Sequence, residues 1–182
     1  MTLPLIDVFK MPSNIILVGP MGAGKSSVGK RLAKQLNRKF YDCDKVLEDR
    51  TGVAISTIFE LEGEQGFRQR ETKILEELLQ LENCVIATGG GAVLRDENLQ
   101  MINACGITIY LQASVNSQIK RTRHDKKRPL LQTQDRHATL EKLARQRNPM
   151  YEQLADITIS TDSQSISASI DEITRKINQL NP

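Results

Sequence analysis

From residue 14 onward, short apolar runs alternate with longer stretches in which apolar residues recur every three or four positions. The runs Asn14–Val18, Lys39–Asp42, Cys84–Ala87, Ile107–Leu111 and Asp156–Ser160 have strand length and predict five β-strands. Helical spacing fills the gaps, in Lys25–Leu36, in Lys45–Arg50 and in Glu64–Leu81, where Phe67, Ile74, Leu75, Leu78 and Leu79 share a face. It continues in Glu97–Ala104 behind a capping Asp96 and in Val115–Arg121 behind a capping Ser114. Strands that alternate with helices are joined by crossovers and lie parallel. The pattern therefore predicts a three-layer α/β/α fold, a parallel sheet with helices on both faces. Ligands of such sheets gather beyond the carboxyl ends of the strands. That rule selects four places: residues 19–26, Asp42-Cys43-Asp44, Thr88-Gly89-Gly90-Gly91, and the loop around Asp162-Ser163-Gln164.

The first of these reads Gly19-Pro20-Met21-Gly22-Ala23-Gly24-Lys25-Ser26, the spacing of a P-loop for nucleoside triphosphates between a strand and a helix. Glycines allow consecutive backbone N–H groups to curl around phosphate oxygens, and the helix that follows presents its positive dipole end to the same charge. Lys25 has the length to reach the terminal phosphates, and Ser26 supplies a hydroxyl for the magnesium ion that travels with the nucleotide. A glycine-rich turn with no ligand would have the same local composition.

Strands three and four end without a carboxylate, so neither offers a metal ligand or a group to activate water. Only Phe40-Tyr41-Asp42-Cys43-Asp44 brings acids to a carboxyl end, and in an extended chain positions 42 and 44 face the same side. Asp42 is the candidate for the metal site and Asp44 for a substrate hydroxyl. Asp44 as the N-cap of the helix from Lys45 is the competing reading. By elimination, transfer to an organic hydroxyl is favoured over hydrolysis coupled to motion. Three consecutive glycines at 89–91 suit a place where backbone approaches a small ligand, and equally a flexible turn.

At 182 residues and 39% hydrophobic content, the chain is expected to be one domain with a substantial core. Its formal charge of +3 is too small to make nucleic acid or an anionic membrane the main partner. Cys43, Cys84 and Cys105 lack metal-ligand spacing and read as reduced thiols. Residues 1–13 lack the basic and apolar regions of a signal peptide, so a cytoplasmic, unexported protein is expected.

Charge is concentrated in the run from Lys120 to Leu131, with six basic residues against one acid. Such a run is either a solvated face, a weak site for nucleic acid, or a segment that closes over a triphosphate and brings an arginine to the transferring group. Arg128, fixed by Pro129, is the candidate for that arginine. Arg68 has Glu64 and Glu71 at helix-pairing distance, and Arg147 reads as a charge near a helix C-terminus, so spacing alone assigns neither a function. His124 and His137 have no ligand-spaced partner and read as surface residues.

Taken together, Gly19–Ser26, Asp42-Cys43-Asp44, Gly63-Glu64-Gln65-Gly66-Phe67-Arg68, Thr88–Gly91, Arg128-Pro129-Leu130-Leu131 and Arg147-Asn148-Pro149-Met150-Tyr151 stand in an order that resembles the shikimate kinases over nearly the whole chain. Ser27 in place of the threonine common in that family, and Met150 in place of leucine, are mild departures. The resemblance implies a nucleoside-monophosphate-kinase-like fold with strand order 2-3-1-4-5 and, usually, a monomer. It also implies ATP-dependent phosphorylation of the 3-hydroxyl of shikimate on the route to chorismate and the aromatic amino acids, with one Mg²⁺. By the same resemblance Lys25, Asp44 and Arg128 are catalytic. Gly22, Ala23, Gly24, Lys25, Ser26, Ser27, Arg128 and Gln164 hold the nucleotide, and Ser26 and Asp42 the metal. Asp44, Arg68, Gly89, Gly90, Gly91 and Arg147 hold shikimate. The implied domain has its core in 14–119 and 137–179, a lid in 120–136 and an N-terminal extension in 1–13. A gluconate kinase, which shares the P-loop and lid but not the arginines, is the nearest enzymatic rival. A nucleotide-dependent nucleic-acid-binding module is the rival from another class.

Overall fold

A computed structural model describes residues 14–123 and 133–180. In chain order its elements are β1 (Asn14–Val18), α1 (Lys25–Gln35), β2 (Lys39–Asp42), α2 (Cys43–Thr51), α3 (Ile55–Leu79), β3 (Cys84–Ala87), a 3₁₀ turn (Ala92–Leu94), α4 (Asp96–Ala104), β4 (Gly106–Gln112), α5 (Val115–Thr122), α6 (Arg136–Leu154), β5 (Ile157–Ser160) and α7 (Ile166–Leu180). The strands form one parallel sheet in the order β2-β3-β1-β4-β5, as the resemblance implies.

The apolar runs explain the burial. All five residues of β1 and all four of β3 are buried, as central strands of a sheet covered on both faces must be, whereas edge strand β5 alternates buried and exposed positions. The period of two divides the core. Ile16, Val18, Ile86 and Tyr110 pack under α2, α3, α4 and α6, while Ile15, Leu17, Val85, Ile109 and Leu111 pack under α1 and α7. Buried Asn14 ties β1 to the connection ahead of β3. Its amide donates to the Leu81 carbonyl at 2.6 Å and its oxygen accepts from the Cys84 N–H at 3.0 Å.

Several helix starts differ from the sequence expectation. Helix α2 begins at Cys43, and its N-cap is Asp42, whose Oδ1 accepts from the N–H groups of Asp44 at 3.1 Å and Lys45 at 3.3 Å. Asp44 is therefore already inside the helix, and the alternation expected of an extended 42–44 segment does not apply. Asp96 is the first residue of α4 rather than its cap, and no side-chain hydrogen bond caps that end. The helical stretch expected from Glu64 does start there, after a break in α3 at Gly63, where φ is 69° and ψ −177°, and the stretch from Ile55 that precedes the break was not expected. Arg147 lies within α6, which continues through Pro149 to Leu154, and is not at a helix end.

No helix among the described residues is long and apolar enough to cross a membrane. The three cysteines are free, with Cys43 and Cys84 buried.

Candidate active site

The four places selected from sequence meet along the carboxyl edge of the sheet, where two clefts share the loop between β1 and α1. One, of about 330 Å³, is lined by Gly22, Gly24, Lys25, Ser26, Ser27, Asp42, Asp44, Thr88 and Gly90 among others. The second, of about 490 Å³, is lined by Gly22, Ala23, Gly24, Ser27, Arg121, Thr161, Gln164 and Ser165 with the start of α7. A single glycine loop that borders two clefts can hold a phosphate chain between them, with the rest of a nucleotide on one side and an acceptor on the other.

The loop is built for an anion. Gly24 precedes α1 with φ 88°, a left-handed conformation that favours glycine, and no side-chain hydrogen bond caps this helix. Its first N–H groups are thus left for a ligand. Lys25 Nζ donates to the carbonyls of Gly19 at 2.7 Å and Pro20 at 2.9 Å, which holds the ammonium over the loop. At the foot of the loop the Ser26 hydroxyl donates to Asp42 Oδ2. Hydroxyl and carboxylate oxygens are the donors a magnesium ion takes. Among the described residues no group of three or more His, Cys, Asp or Glu side chains is placed to hold a metal. An ion here would draw most of its ligands from phosphate and water.

Behind Asp44 and the glycines after β3 lies a buried set of charges. Arg68 and Arg147 are 7% and 5% exposed. Arg68 Nη1 is 2.7 Å from Glu71 Oε2, its Nη2 is 3.2 Å from Glu64 Oε1, and its guanidinium carbon lies 5.1 Å from the centre of the Phe67 ring. The pair with Glu64 was legible as helix spacing; the burial of Arg68 was not. Burial works to lower the Arg68 pKa, but Glu71 and Glu64 more than offset it. The Glu71 carboxyl is pushed up by burial against the pull of Arg68, and burial lowers the Arg147 guanidinium. The buried Nε groups of both arginines find no acceptor among the described residues, which leaves donor capacity for an anionic ligand.

Two of the three glycines after β3 leave no room for a side chain. A Cβ on Gly89 would stand 2.2 Å from Glu71 Oε1 and 3.2 Å from Asp44 Oδ1, and one on Gly91 would stand 2.3 Å from Arg68 Nη2. The close approach at Gly89 and Gly91 is to the side chains of Glu71, Asp44 and Arg68, so the loop is packed rather than loose. The Thr88 N–H and hydroxyl both donate to the Leu17 carbonyl at 3.1 Å, which fixes the loop against β1.

Three residues were given no role from sequence. Glu71 appeared only as a helix-pairing partner. Tyr151, one turn after Arg147, is fully buried, stacks on Tyr110 at 5.1 Å and donates its hydroxyl to the Gly90 carbonyl. Its i, i+4 relation to Arg147 was the available signal. Arg121 was hidden in the basic run. It sits at the end of α5 and donates from Nη1 to the Gly22 carbonyl and the Thr161 hydroxyl, both at 3.0 Å, which joins the loop to the wall of the second cleft. On that wall the Gln164 amide donates to Glu172 at 2.9 Å. His137 is exposed, 3.8 Å from Glu141. Arg128 and His124 lie outside the described residues.

Known proteins share this arrangement. The family model described as shikimate kinase matches residues 21–178. A shikimate kinase of Haemophilus influenzae is 53% identical over 169 residues, 92% of this chain and 94% of its own. A solved shikimate kinase from Acinetobacter baumannii, in complex with shikimate, is 43% identical with a TM-score of 0.91 over 94% of this chain and 96% of its own. A gluconokinase from Sinorhizobium meliloti shares the fold, with a TM-score of 0.56 at 17% identity over 94% of each chain. Family model, sequence relatives and the order of motifs around the two clefts agree: the chain belongs to the shikimate kinase family.

Proposed function

We propose that the protein transfers the γ-phosphoryl group of ATP to the 3-hydroxyl of shikimate, releasing ADP and 3-phosphoshikimate on the route to chorismate and the aromatic amino acids. The observation that carries this reading is a phosphate-loop cleft bordered by the glycines after β3, with two buried arginines gathered behind those glycines, Arg68 against Gly91 and Arg147 beside the Tyr151 that bonds Gly90. The resemblance to an enzyme solved with shikimate supports the choice of acceptor.

In this reading the backbone of Gly22, Ala23 and Gly24, with Ser27, cradles the triphosphate. Arg121 and Gln164 border the base end. Asp44 holds the acceptor hydroxyl, the backbone of Gly89–Gly91 follows the ring, and Arg68 and Arg147 take the carboxylate, for which a planar guanidinium fork suits both oxygens. Ser26 and Asp42 would hold the magnesium ion, which when bound supplies positive charge to phosphoryl oxygens. Arg128 is assigned to the lid by resemblance. Most of the acceleration then comes from holding the reactants in line and meeting charge on the transferring group. A monomer is assigned by the same resemblance. A cytoplasmic location accords with the free cysteines.

The test is coupled ADP release at fixed ATP and Mg²⁺. Shikimate should raise release far above the background and gluconate should not. Release that is indifferent to shikimate overturns the assignment.

Tyr151 adds a prediction. Its hydroxyl joins the Gly90 carbonyl to the neighbourhood of Arg147, two groups assigned to one ligand. Tyr151→Phe keeps the stacked ring and removes that link, so the shikimate KM should rise by about tenfold, the effect of a hydrogen bond lost from a buried acceptor. The ATP KM should not move. A lowered Tm with both KM values unchanged would limit Tyr151 to packing.

A further inference from the structure

Carboxylates already occupy one of the two arginines assigned to the substrate's carboxylate. Arg68 is paired with Glu71 and with Glu64, and the Glu64 charge also acts on Arg147. Two arginines are thus matched by two glutamates in the ligand-free protein, with Asp44 as a further negative charge close to Glu71. An anionic acceptor brings one more. In a site largely shielded from water this surplus is unfavourable unless a resident carboxylate withdraws.

The two glutamates are not equally able to do so. The Glu71 side chain is 2% exposed and sits behind Arg68, whereas that of Glu64 is 55% exposed. Glu64 also follows directly on the break in α3 at Gly63, around which the space a Cβ would occupy is empty to 4 Å. The break itself is clasped. Arg70 meets the Glu62 carboxylate through Nε at 2.8 Å and Nη2 at 2.7 Å, a two-pronged bond from one side of the break to the other. With the backbone held in this way, Glu64 can swing into water by side-chain rotation alone while Glu71 keeps Arg68 in place.

Resting on the functional reading above, we propose that Glu64 is a resident counter-carboxylate on Arg68 that the acceptor's carboxylate displaces, so that it lowers affinity for anionic acceptors and leaves neutral ones unaffected. It keeps the guanidinium paired and oriented until the acceptor arrives. Glu71 is the permanent partner and Glu64 the exchangeable one.

The experiment is calorimetric binding of shikimate and of its uncharged methyl ester to the full chain, wild type, Glu64→Gln and Glu64→Ala, with ADP release measured in parallel. Both variants should bind shikimate about two- to fivefold more tightly, the range of a partly exposed ion pair given up on binding. Ester binding should be unchanged, and the ratio of shikimate to ester affinity should rise by the same factor. Melting curves confirm that the variants are folded. If one variant fails to fold, the other decides, since its side chain is likewise uncharged. Weaker or unaltered shikimate binding in the folded variants, while the wild type turns shikimate over, overturns this inference and leaves the functional reading standing. A wild type that neither binds shikimate nor releases ADP in its presence removes the functional reading itself.

Discussion

Lys25→Ala is expected to lower kcat for shikimate-dependent ADP release by about 10³-fold or more, while shikimate affinity in the absence of nucleotide changes less than twofold. Removing one donor that meets charge on a reacting group costs about 10²–10³ in kcat, and Lys25 supplies a full charge as well as hydrogen bonds. In the ligand-free loop its ammonium is held by the Gly19 and Pro20 carbonyls. Those contacts keep it at the phosphate site. Gly19 and Pro20 are buried, so removing this donor from their carbonyls should also lower the Tm, and a melting curve separates that cost from the loss of rate. Lys25→Arg should recover only a small part of the rate, since a planar fork does not replace a compact ammonium among curled N–H groups. Stopped-assay kcat values together with calorimetry of shikimate binding check the prediction. A variant within tenfold of wild type would mean that loop amides alone carry the charge.

The sheet was legible because its signal is local. Strands of a parallel sheet are short runs between helices, so β1, β2 and β3 span the expected residues, β4 is one residue longer at each end, and β5 is one residue shorter at its start. The P-loop was legible for a related reason: its glycines, lysine and serine act through backbone geometry that the sequence itself sets. Where local signals compete, the reading failed. Asp42 and Asp44 are both good capping residues, and only the shape of the loop, which brings Ser26 onto Asp42, shows that the earlier acid serves. The helical stretch from Ile55 to the break at Gly63 was missed, while the one that starts at Glu64 was legible from its apolar face. Pro149 invites a helix end, yet α6 runs through it, since Arg147 and Tyr151 on the same face are both buried.

The charged residues were the least legible part, and the reason is physical. Whether an arginine three or four residues from a glutamate is a surface pair or a binding group depends on burial, which comes from elements far away in the chain. Arg68 is enclosed by the loop after β3, whose Gly91 leaves room for its guanidinium, and Arg147 arrives from α6. Arg121 was overlooked for the opposite reason. Amid so many basic neighbours it had no distinguishing mark, and its bonds to Gly22 and Thr161 exist only because α5 crosses the end of the sheet.

The second large effect is expected of Asp44→Asn, which should lower kcat by about 10²–10⁴, the range of a positioned group that takes or directs a proton. The argument depends on which acid caps α2. Asp42 does, through two N–H groups, so the change at Asp44 leaves the cap intact. Asparagine also matches aspartate in shape, which matters where Gly89 leaves little space beside Asp44 Oδ1. It removes one like charge from the surroundings of Glu71, whose carboxyl Asp44 helps to push up. Stability should therefore be unchanged or slightly raised, with a Tm no lower than wild type. A large loss of rate in a protein at least as stable cannot be attributed to misfolding. Shikimate binding should weaken less than the rate falls, because Arg68 and Arg147 still hold the carboxylate. Measured kcat, shikimate Kd and Tm separate the outcomes. A variant that keeps more than a tenth of the wild-type rate would show that some other group orients the acceptor hydroxyl. A fall in Tm matching that of Asp42→Asn would show instead that the two acids share the cap.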